Sequence, residues 1–396
     1  MSSESPVVKL GEVVDNLDWR RVPVKSSDRK SGPYPYYGAS GVIDHVDGYL
    51  FEGLHLLVAE DGENLRTRKT PIAFLADGKF WVNNHAHILR GNRRADTRYL
   101  NYVLACTDIS GYLSGSTQPK LTQDNLHRIP VRMPPISEQQ AIASFLAALD
   151  DKIELNRKMS RTLDEMAQAL FQSQFVKLEG IVDVDESGVP IGWEIHDVGD
   201  VLEVRGGTTP STKSPEFWDG GSYAFCTPKD MSQLDAPVLH STERCVTKAG
   251  LTKTGSGLLP VGSVLMSSRA PIGYVALAMV PVAVNQGIIA LVCGSEMSNL
   301  YAMYWVRANQ AEVLARANGS TFLEISKGNF KRIQMLVPSR ESLDDFEAIV
   351  GPIVERIALC QAENVHLAEL RDALLPRLLS GEMQVHNANG TAGKAV

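Results

Sequence analysis

Apolar and small residues recur at alternating steps of four and three along the middle of the chain, from about residue 138 to residue 174. The positions are Ile142, Leu146, Leu149, Ile153, Asn156, Ser160, Leu163, Ala167 and Leu170. This spacing is typical of a helix that packs along a seam against a second helix. We therefore predict a long helix over residues 137–178. The polar residues Asn156 and Ser160 will help to fix the register of the pair if they face a partner.

A second helical pattern lies near the carboxyl end, and it predicts another long helix over residues 339–382. Its apolar positions are Phe346, Val350, Ile353, Ile357, Cys360, Leu367 and Leu374. Asn364 and Arg371 interrupt the pattern, and Pro352 lies inside it. Because proline has no amide hydrogen to donate, we expect a kink or a late start of the helix there. The polar residues 383–396 are predicted to form a disordered tail.

The chain is an imperfect repeat with a shift of 204 residues. The segment GSTQPKLTQDNLHRIPVRMP at residues 115–134 aligns with GSTFLEISKGNFKRIQMLVP at residues 319–338, and the register continues into both helical patterns. A weaker match relates VNNHAHIL at residues 82–89 to VNQGIIAL at residues 284–291. Such repeats mark repeated structural units. Each half is therefore predicted to be a globular domain followed by a long helix.

The globular parts contain short apolar or alternating runs bounded by turn residues, which predicts domains rich in strands. The patterns divide the chain into five parts. These are an N-terminal domain at 1–136, a central helix at 137–178, a C-terminal domain at 179–338 that begins with an acidic linker at 179–189, a distal helix at 339–382 and the tail at 383–396.

The net charge of −7 on 396 residues is spread unevenly. Residues 1–135 hold 17 Lys and Arg against 15 Asp and Glu, and residues 190–338 hold 12 of each. The acidity therefore lies in the linker and the helical segments. Because attraction to nucleic acid depends on local clusters of charge, the overall acidity does not exclude binding of nucleic acid by the domains.

Five well-separated cysteines, with no C-x-x-C pair, argue against a disulfide framework and against a cysteine zinc site. No apolar run approaches the roughly 20 residues that span a bilayer. The first residues lack a basic segment followed by an apolar one, so no secretory signal is predicted. These features favour a cytoplasmic location.

Sequence signatures of catalysis and of phosphate binding are absent from the chain. It contains no G-x-x-x-x-G-K-[ST] phosphate loop, no G-x-G-x-x-G at the start of a helix, no Asn-Pro-Pro-aromatic segment and no E-x-K motif. His85 and His87 lie two apart on a strand pattern and could share a face. A metal site there is one interpretation, and a surface polar pair or a nucleic-acid contact is the other. We predict no catalytic residue and no metal site.

Four segments, in this order and with a long helix after each domain, give the chain its family resemblance. They are YPYYGASGVIDHVDGY at residues 34–49, RGGTTPSTKSPEFWDGGSYAFCTPKDM at residues 205–231, LPVGSVLMSSRAPIGYVAL at residues 259–277 and LLPRLLSGEMQV at residues 374–385. Together they resemble the specificity subunit of type I restriction–modification systems over nearly the whole chain. The first domain departs from the pattern, since it has the YPYYGASG version in place of a GGTP-type segment.

The resemblance implies an α+β fold, in which two pseudo-repeated α/β target-recognition domains are separated by two long antiparallel coiled-coil helices. It implies a non-catalytic subunit in which each domain reads one half of a bipartite site on double-stranded DNA and the helices set the spacer. Two modification (methyltransferase) subunits dock on it, and restriction subunits with translocase and nuclease activity complete the complex. The chain itself needs no cofactor, whereas its partners use S-adenosylmethionine, ATP and Mg²⁺.

Reading a duplex requires cations for phosphates, together with amides, hydroxyls and Arg for base edges. The N-terminal candidates for DNA contact are Arg20, Arg21, Lys25, Arg29, Lys30, Tyr36, Arg66, Arg68, Lys69, Gln118 and Lys120, with Trp19 next to the first pair. The C-terminal candidates are Arg205, Thr208, Thr209, Ser211, Lys213, Ser268, Arg269, Asn285, Gln286 and Lys327. The Gly-Ser-Thr segments at 115–117 and 319–321 occur in both halves, where they anchor phosphates or set a turn.

Two other functions are compatible with the residues alone. The first is a single-chain DNA methyltransferase or nuclease with an unusual catalytic centre, which cofactor binding by the isolated chain would support. The second is a repeat-built scaffold that reads no sequence. A methyltransferase gene beside this one favours the specificity subunit over both.

Overall fold

The computed structural model describes residues 5–115, 117–180, 183–269, 271–319 and 323–385. The chain forms two compact units. The N-terminal unit comprises Met1–Asp151 and Leu367–Val396, and the C-terminal unit comprises Lys152–His366. Both long helices contribute residues to both units. In the part of the chain that the model describes, no helix has an apolar stretch long enough to cross a membrane.

Among the described residues, ten strands and three short α-helices precede the first long helix. The strands are β1 (Val7–Lys9), β2 (Val14–Asn16), β3 (Tyr34–Gly38), β4 (Gly41–Val46), β5 (Phe51–Glu52), β6 (His55–Ala59), β7 (Ala73–Ala76), β8 (Lys79–Val82), β9 (Ala86–Gly91) and β10 (Pro130–Arg132). The helices are α1 (Asn64–Thr67), α2 (Thr97–Cys106) and α3 (Gln123–Arg128). They form an antiparallel sheet of order β2-β9-β6-β7, a mixed sheet of order β4-β3-β8-β5, and the pair β1-β10.

The first long helix is α4 (Ile136–Phe171), and the second is α11 (Arg340–Ser380). The strands between them are β11 (Glu194–Asp197), β12 (Glu203–Gly206), β13 (Tyr223–Cys226), β14 (Val238–Leu239), β15 (Arg244–Val246), β16 (Val264–Ser267), β17 (Val275–Ala278), β18 (Val282–Val284), β19 (Ile288–Val292) and β20 (Gln334–Val337). The helices between them are α5 (Val198–Val201), α6 (Pro228–Ser232), α7 (Lys248–Leu251), α8 (Asn299–Ala308), α9 (Gln310–Ala315) and α10 (Lys327–Lys331).

The sheets of the C-terminal unit repeat those of the N-terminal unit. The order β12-β19-β16-β17 matches β2-β9-β6-β7, the order β15-β13-β18 matches β4-β3-β8, and the pair β11-β20 matches β1-β10. Strand β14 extends the first of these sheets by parallel pairing with β17. The sequence repeat is therefore a repeat of topology, and corresponding positions in the two units can be compared residue by residue.

Apolar seam positions of both long helices are buried in each unit. In the N-terminal unit, Ile142 and Leu146 of α4 share a core cluster with Leu375 and Leu378 of α11. In the C-terminal unit, Asn156 bonds Asn364, whereas the Phe171 ring lies 5.9 Å from that of Phe346. Residue numbers thus rise along one helix as they fall along the other, so the helices are antiparallel there. A π-helix at Gln172–Val176 follows directly after the end of α4.

The polar residues of the seam differ in their hydrogen bonding. The side-chain amide of Asn156 donates to Asn364 Oδ1 at 2.9 Å and to Glu363 Oε2 at 2.8 Å. Ser160 Oγ is buried without a hydrogen-bond partner among the described residues. Asn156 therefore faces a polar partner on the opposite helix, as a residue that fixes register must.

The expected late start at Pro352 is wrong, because α11 begins at Arg340 and continues through the proline to Ser380. Pro352 is exposed. Because the proline has no amide hydrogen, the carbonyl oxygen one helical turn earlier receives no hydrogen bond from it. That oxygen can accept a hydrogen bond from water on the solvent side of the helix. Predictions from the sequence also concern tail residues 386–396, Ser116, Ser320 and Thr321, which lie outside the described residues.

Candidate nucleic-acid interface

Sheet register defines equivalent positions in the two units. Asn16 pairs with Leu89 in one sheet, and Val204 pairs with Leu291 in the other. Leu89 and Leu291 correspond in the aligned segments 82–89 and 284–291. Counting from these pairs, position 19 corresponds to 207, 21 to 209, 61 to 269, 84 to 286 and 120 to 324.

These positions converge at one edge of each unit. Asp61 and Lys120 form a β-bridge in the N-terminal unit, and Arg269 and Glu324 form the equivalent bridge in the C-terminal unit. We call the first group the N-terminal edge, defined by residues 19–21, 60–61, 84–85 and 120. We call the second the C-terminal edge, defined by residues 207–209, 268–269, 285–286, 324 and 327.

At the N-terminal edge, Arg21 joins separate segments of the chain. Its Nη1 atom donates to Glu60 Oε2 at 2.6 Å and to the carbonyl oxygens of Ala86 and Asn84 at 3.0 and 3.4 Å. Lys120 Nζ lies 3.2 Å from Glu60 Oε1. Burial alone would raise the pKa of Glu60, but these two cations and His87 outweigh it, so that the pKa lies below its usual value. The arrangement presents Lys120 and the exposed Asn84 and His85, whereas the Arg21 side chain is only 16% exposed and holds these segments together.

A buried ion cluster lies beneath this edge. Asp18 accepts a hydrogen bond from the Ile88 amide at 2.8 Å and lies 2.5 Å from His87 Nδ1. The second ring nitrogen of His87 lies 2.7 Å from the Leu121 carbonyl oxygen, so the ring faces an acceptor on both sides. Burial would raise the pKa of Asp18, but His87, the Ile88 amide and Arg21 lower it on balance. The cluster fixes the backbone that supports Arg21.

At the C-terminal edge, hydroxyl and amide groups occupy positions 209 and 286, and the cations lie at other positions. Thr209 Oγ1 donates to Gln286 Oε1 at 2.6 Å, and Thr208 Oγ1 donates to the Lys253 carbonyl oxygen at 2.7 Å. Arg269 Nη1 lies 3.7 Å from Glu324 Oε2. The methylenes of exposed Lys327 lie against Gly206. This edge therefore presents an oriented carboxamide between two threonines and two cations.

Several predicted contact residues are committed to internal contacts. Tyr36 is fully buried, and its hydroxyl accepts from the Val24 amide at 3.0 Å, so the prediction that it contacts DNA is wrong. Arg29 lies over the Tyr36 ring at 4.3 Å and bonds Asp44 at 3.1 Å. Ser268 is buried. Its amide donates to the Gly287 carbonyl oxygen, and its carbonyl oxygen accepts from the Ile325 amide. These side chains support the fold.

Other candidates lie away from the edges or have structural bonds. Arg68 caps α2 by donating to the carbonyl oxygens of Thr107 and Leu104 at 2.7 and 3.0 Å. Arg205 pairs with Glu203 on its own strand at 2.7 Å. Asn285 Oδ1 accepts from the Gly287 amide at 2.9 Å and sets the turn there. Arg20 donates to the Leu50 carbonyl oxygen at 2.8 Å and lies over Phe51.

The remaining candidates are exposed. Arg66 donates to the Gly115 carbonyl oxygen at 3.0 Å, which places it beside the 115–119 turn. Gly115 and Gly319 both adopt positive φ, 86° and 125°, so the shared glycine sets a turn in each half. The exposed candidates without a side-chain bond in the described part of the chain are Lys25, Lys30, Lys69, Gln118, Ser211, Lys213 and Lys327.

Sequence reasoning missed the acidic and amide members of the edges. Glu60, Asp61 and Glu324 are absent from the predicted contacts because only cations, hydroxyls and amides were sought. Asn84 was also missed, although the match of residues 82–89 with 284–291 pairs it with Gln286. His85 and His87 form no shared metal site: His85 binds Asp61 at 2.8 Å, and His87 faces inward. No group of three or more potential metal ligands occurs in the described ranges.

A family model described as "Type I restriction modification DNA specificity domain" matches residues 2–165 and 190–344. The chain belongs to the type I restriction–modification DNA specificity family. Each matched segment covers one globular repeat, and the first continues along most of α4. The alternative of a single-chain methyltransferase or nuclease receives no support from this match.

Relatives of the specificity family come from bacteria and archaea. The HindI specificity subunit of Haemophilus influenzae is 25% identical over 332 residues, 67% of this chain and 72% of the relative. Another protein of that organism, assigned as a type I specificity subunit, is 36% identical over 193 residues, which cover 48% of this chain and 49% of the relative. The MjaIX specificity subunit of Methanocaldococcus jannaschii is 32% identical over 184 residues, 46% of this chain and 42% of the relative. The chain thus matches about half the length of two of these relatives.

A solved structure of this family has the same fold. The type I restriction–modification S subunit of M. genitalium superimposes with a TM-score of 0.63 over 96% of this chain and 97% of that chain, at 16% sequence identity. The predicted fold class, with two pseudo-repeated mixed domains and two long helices, is confirmed.

Proposed function

We propose that this chain is the non-catalytic DNA reader of a type I restriction–modification complex, and that each unit reads one half of a split site. One observation carries the proposal. The two edges share their strand register and the turn set by Asn83 and Asn285, whereas the side chains at five other equivalent positions differ. The pairs are Trp19 and Gly207, Arg21 and Thr209, Asp61 and Arg269, Asn84 and Gln286, and Lys120 and Glu324. A repeated scaffold with different edge residues suits two different half-sites.

The chemistry of each edge suits the major groove, where base edges present distinct donors and acceptors. At the C-terminal edge, the Thr209 hydroxyl holds the Gln286 carboxamide oxygen. This leaves the Gln286 Nε2 group to donate to an acceptor such as a purine N7 atom. We assign Lys327 to a phosphate contact, which positions the protein without reading sequence.

Substitutions at the C-terminal edge test whether Gln286 reads a base and Lys327 contacts a phosphate. We expect Gln286→Ala to relax discrimination at one base pair of one half-site by about fivefold to 100-fold, and to leave the other half-site unchanged. Lys327→Ala should weaken binding to all sequences and reduce its salt dependence. Methylation rates on a library of site variants, measured with the reconstituted methyltransferase complex, give both values.

The exposed Gln140→Ala on α4 serves as the matched control and should change neither value. Relaxation of bases in both half-sites by Gln286→Ala would contradict the proposal, because one edge would then not read one half-site.

The partners proposed for this chain are two modification subunits, which use S-adenosylmethionine, and restriction subunits, which use ATP and Mg²⁺. Apolar side chains exposed by at least 38% recur at the same register on both long helices. The pairs, each related by 204 residues, are Phe145 with Ile349, Leu155 with Leu359, and Met166 with Leu370. Exposed apolar surface of this kind marks protein contacts, and its repetition suits two copies of one partner. We propose that the chain itself binds no cofactor and acts in the cytoplasm.

A carboxylate introduced into the exposed apolar surface of one long helix should prevent one methyltransferase subunit from docking. We expect Leu155→Glu and Leu359→Glu each to reduce the number of bound methyltransferase subunits from two to one, and the double variant to bind none. Burying a charge in an apolar contact is strongly unfavourable, which is the reason for the loss. Native mass spectrometry of the co-expressed complex measures the stoichiometry.

Ser137→Glu adds the same charge in the first turn of α4, about 27 Å from Leu155 along the helix, and should leave two subunits bound. If the double variant keeps both methyltransferase subunits, docking does not use this surface.

A further inference from the structure

Trp19 has the highest exposed fraction, 80%, among the large apolar side chains of the described residues. An indole left in water in this way has a large apolar area to bury in a partner. It lies in the short 3-10 helix Asp18–Arg20, directly before Arg21 of the N-terminal edge. We propose that Trp19 inserts between two adjacent base pairs of the bound half-site and locally unstacks them. This inference rests on the proposed function and adds a distortion of the DNA to it.

The backbone on both sides of Trp19 is held in place. Before it, Asp18 bonds the Ile88 amide and His87 in the buried cluster. After it, Arg21 binds Glu60 and the Ala86 carbonyl oxygen, and Arg21 Nε donates to the Asp18 carbonyl oxygen at 3.2 Å. The backbone of the turn is therefore held in place, and the exposed indole projects from a fixed position before DNA arrives. Such preorganisation reduces the entropy that binding loses.

The equivalent position in the other unit is Gly207, where no side chain can project. A Cβ atom at that position would lie 1.6 Å from the Val284 carbonyl oxygen. The C-terminal edge can therefore read its half-site only through groups such as Gln286 and Thr209. Insertion is confined to the N-terminal unit, so the two half-sites are treated differently although the scaffold is repeated.

The surroundings of Trp19 favour nucleic acid over a protein partner. Arg20 and Arg21 follow it in sequence, and Lys120 shares Glu60 with Arg21. An aromatic ring flanked by cations is the usual arrangement for stacking on bases. Arg21 also contacts the carbonyl oxygen of Asn84, whose counterpart is Gln286, so the turn that carries Trp19 is joined to a position that we assign to base reading. Apolar wedges between base steps are an established way for proteins to kink a duplex.

The test uses the chain in complex with its methyltransferase subunits and duplexes that carry 2-aminopurine at successive positions of the split site. With the wild-type complex, we expect a rise in fluorescence at one step within or beside a single half-site, apart from any signal at the target adenines. Trp19→Ala should abolish that rise, retain the target-adenine signal and weaken binding about tenfold or more. Trp19→Phe should retain part of the rise.

Ile191→Ala is the matched control, since Ile191 is also highly exposed but lies in the C-terminal unit outside both edges. It should leave affinity and fluorescence unchanged. Wild-type affinity and an unchanged fluorescence profile for Trp19→Ala would overturn the inference. So would loss of a methyltransferase subunit from Trp19→Ala in native mass spectrometry, since Trp19 would then be a protein contact. If the wild-type complex shows no preference for a split site, the proposed function itself fails, and the insertion fails with it.

Discussion

Insertion of four residues into each long helix will lengthen the spacer of the recognised site by one or two base pairs and leave both half-sites unchanged. The insertions belong between Asp151 and Lys152 and between His366 and Leu367, the points in the sequence at which each helix passes from one compact unit to the other. Four helical residues add about 6 Å, and B-DNA rises about 3.4 Å per base pair. Because both helices gain the same length, the seam contacts within each unit are retained. Sequencing of methylated DNA from a host that carries the variant gives the new spacer.

A matched insertion of four residues in the linker at 179–189 should leave the spacer at its wild-type length, because that segment belongs to neither helix. A helix insertion that changes the bases of a half-site, or that leaves the spacer unchanged, would show that the helices do not set the distance.

Asp164→Ala will destabilise the C-terminal unit by about 2–4 kcal/mol. The Arg307 guanidinium donates to both carboxylate oxygens of Asp164, at 2.5 and 2.8 Å, and the Tyr304 hydroxyl donates to the same carboxylate at 3.2 Å. The two charged side chains are only 21% and 15% exposed. Removing the acid leaves a largely buried guanidinium without a counter-charge, and this is why the loss is larger than for a surface pair. Hydrogen exchange of the α8 amides measures the local free energy of opening.

The double variant Asp164→Ala with Arg307→Met should recover much of the loss, because no buried charge then remains unpaired. Asp150→Ala is the matched control in the N-terminal unit. Asp150 accepts from Tyr102 at 2.6 Å and from Arg371 at 2.8 Å, but its pair with Arg371 is more exposed. Its effect should be smaller and confined to that unit. An equal loss for both acids would contradict the burial argument.

The long helices could be predicted from the sequence because their signal is local and periodic. Ile142, Leu146, Ile153 and Ala167 are buried as the spacing requires. The repeat could also be predicted, since the alignment of residues 115–134 with 319–338 corresponds to one turn, helix and strand in each unit. A late start at Pro352 was wrong because the proline lies on the exposed side of the helix, and this depends on the packing of the whole seam.

The edges could be predicted only in part, because membership depends on contacts between residues far apart in sequence. Tyr36 and Ser268 are residue types suited to DNA contact, but tertiary packing buries them. The Arg68 side chain donates to carbonyl oxygens at the end of α2, and no local sequence pattern reveals these hydrogen bonds. The correspondence of Trp19 with Gly207 follows from counting onward from the strand register of Asn16 and Val204, which agrees with the match of LGEVVD at residues 10–15 to VGDVLE at residues 198–203.

The most direct test of the account is the methylome of a host that lacks other modification systems and expresses this chain with its methyltransferase subunit. The account predicts one split motif, formed by two defined half-sites on either side of a spacer of constant length and undefined sequence. Methylation at a continuous motif, or the same methylated sites when this chain is omitted, would contradict it.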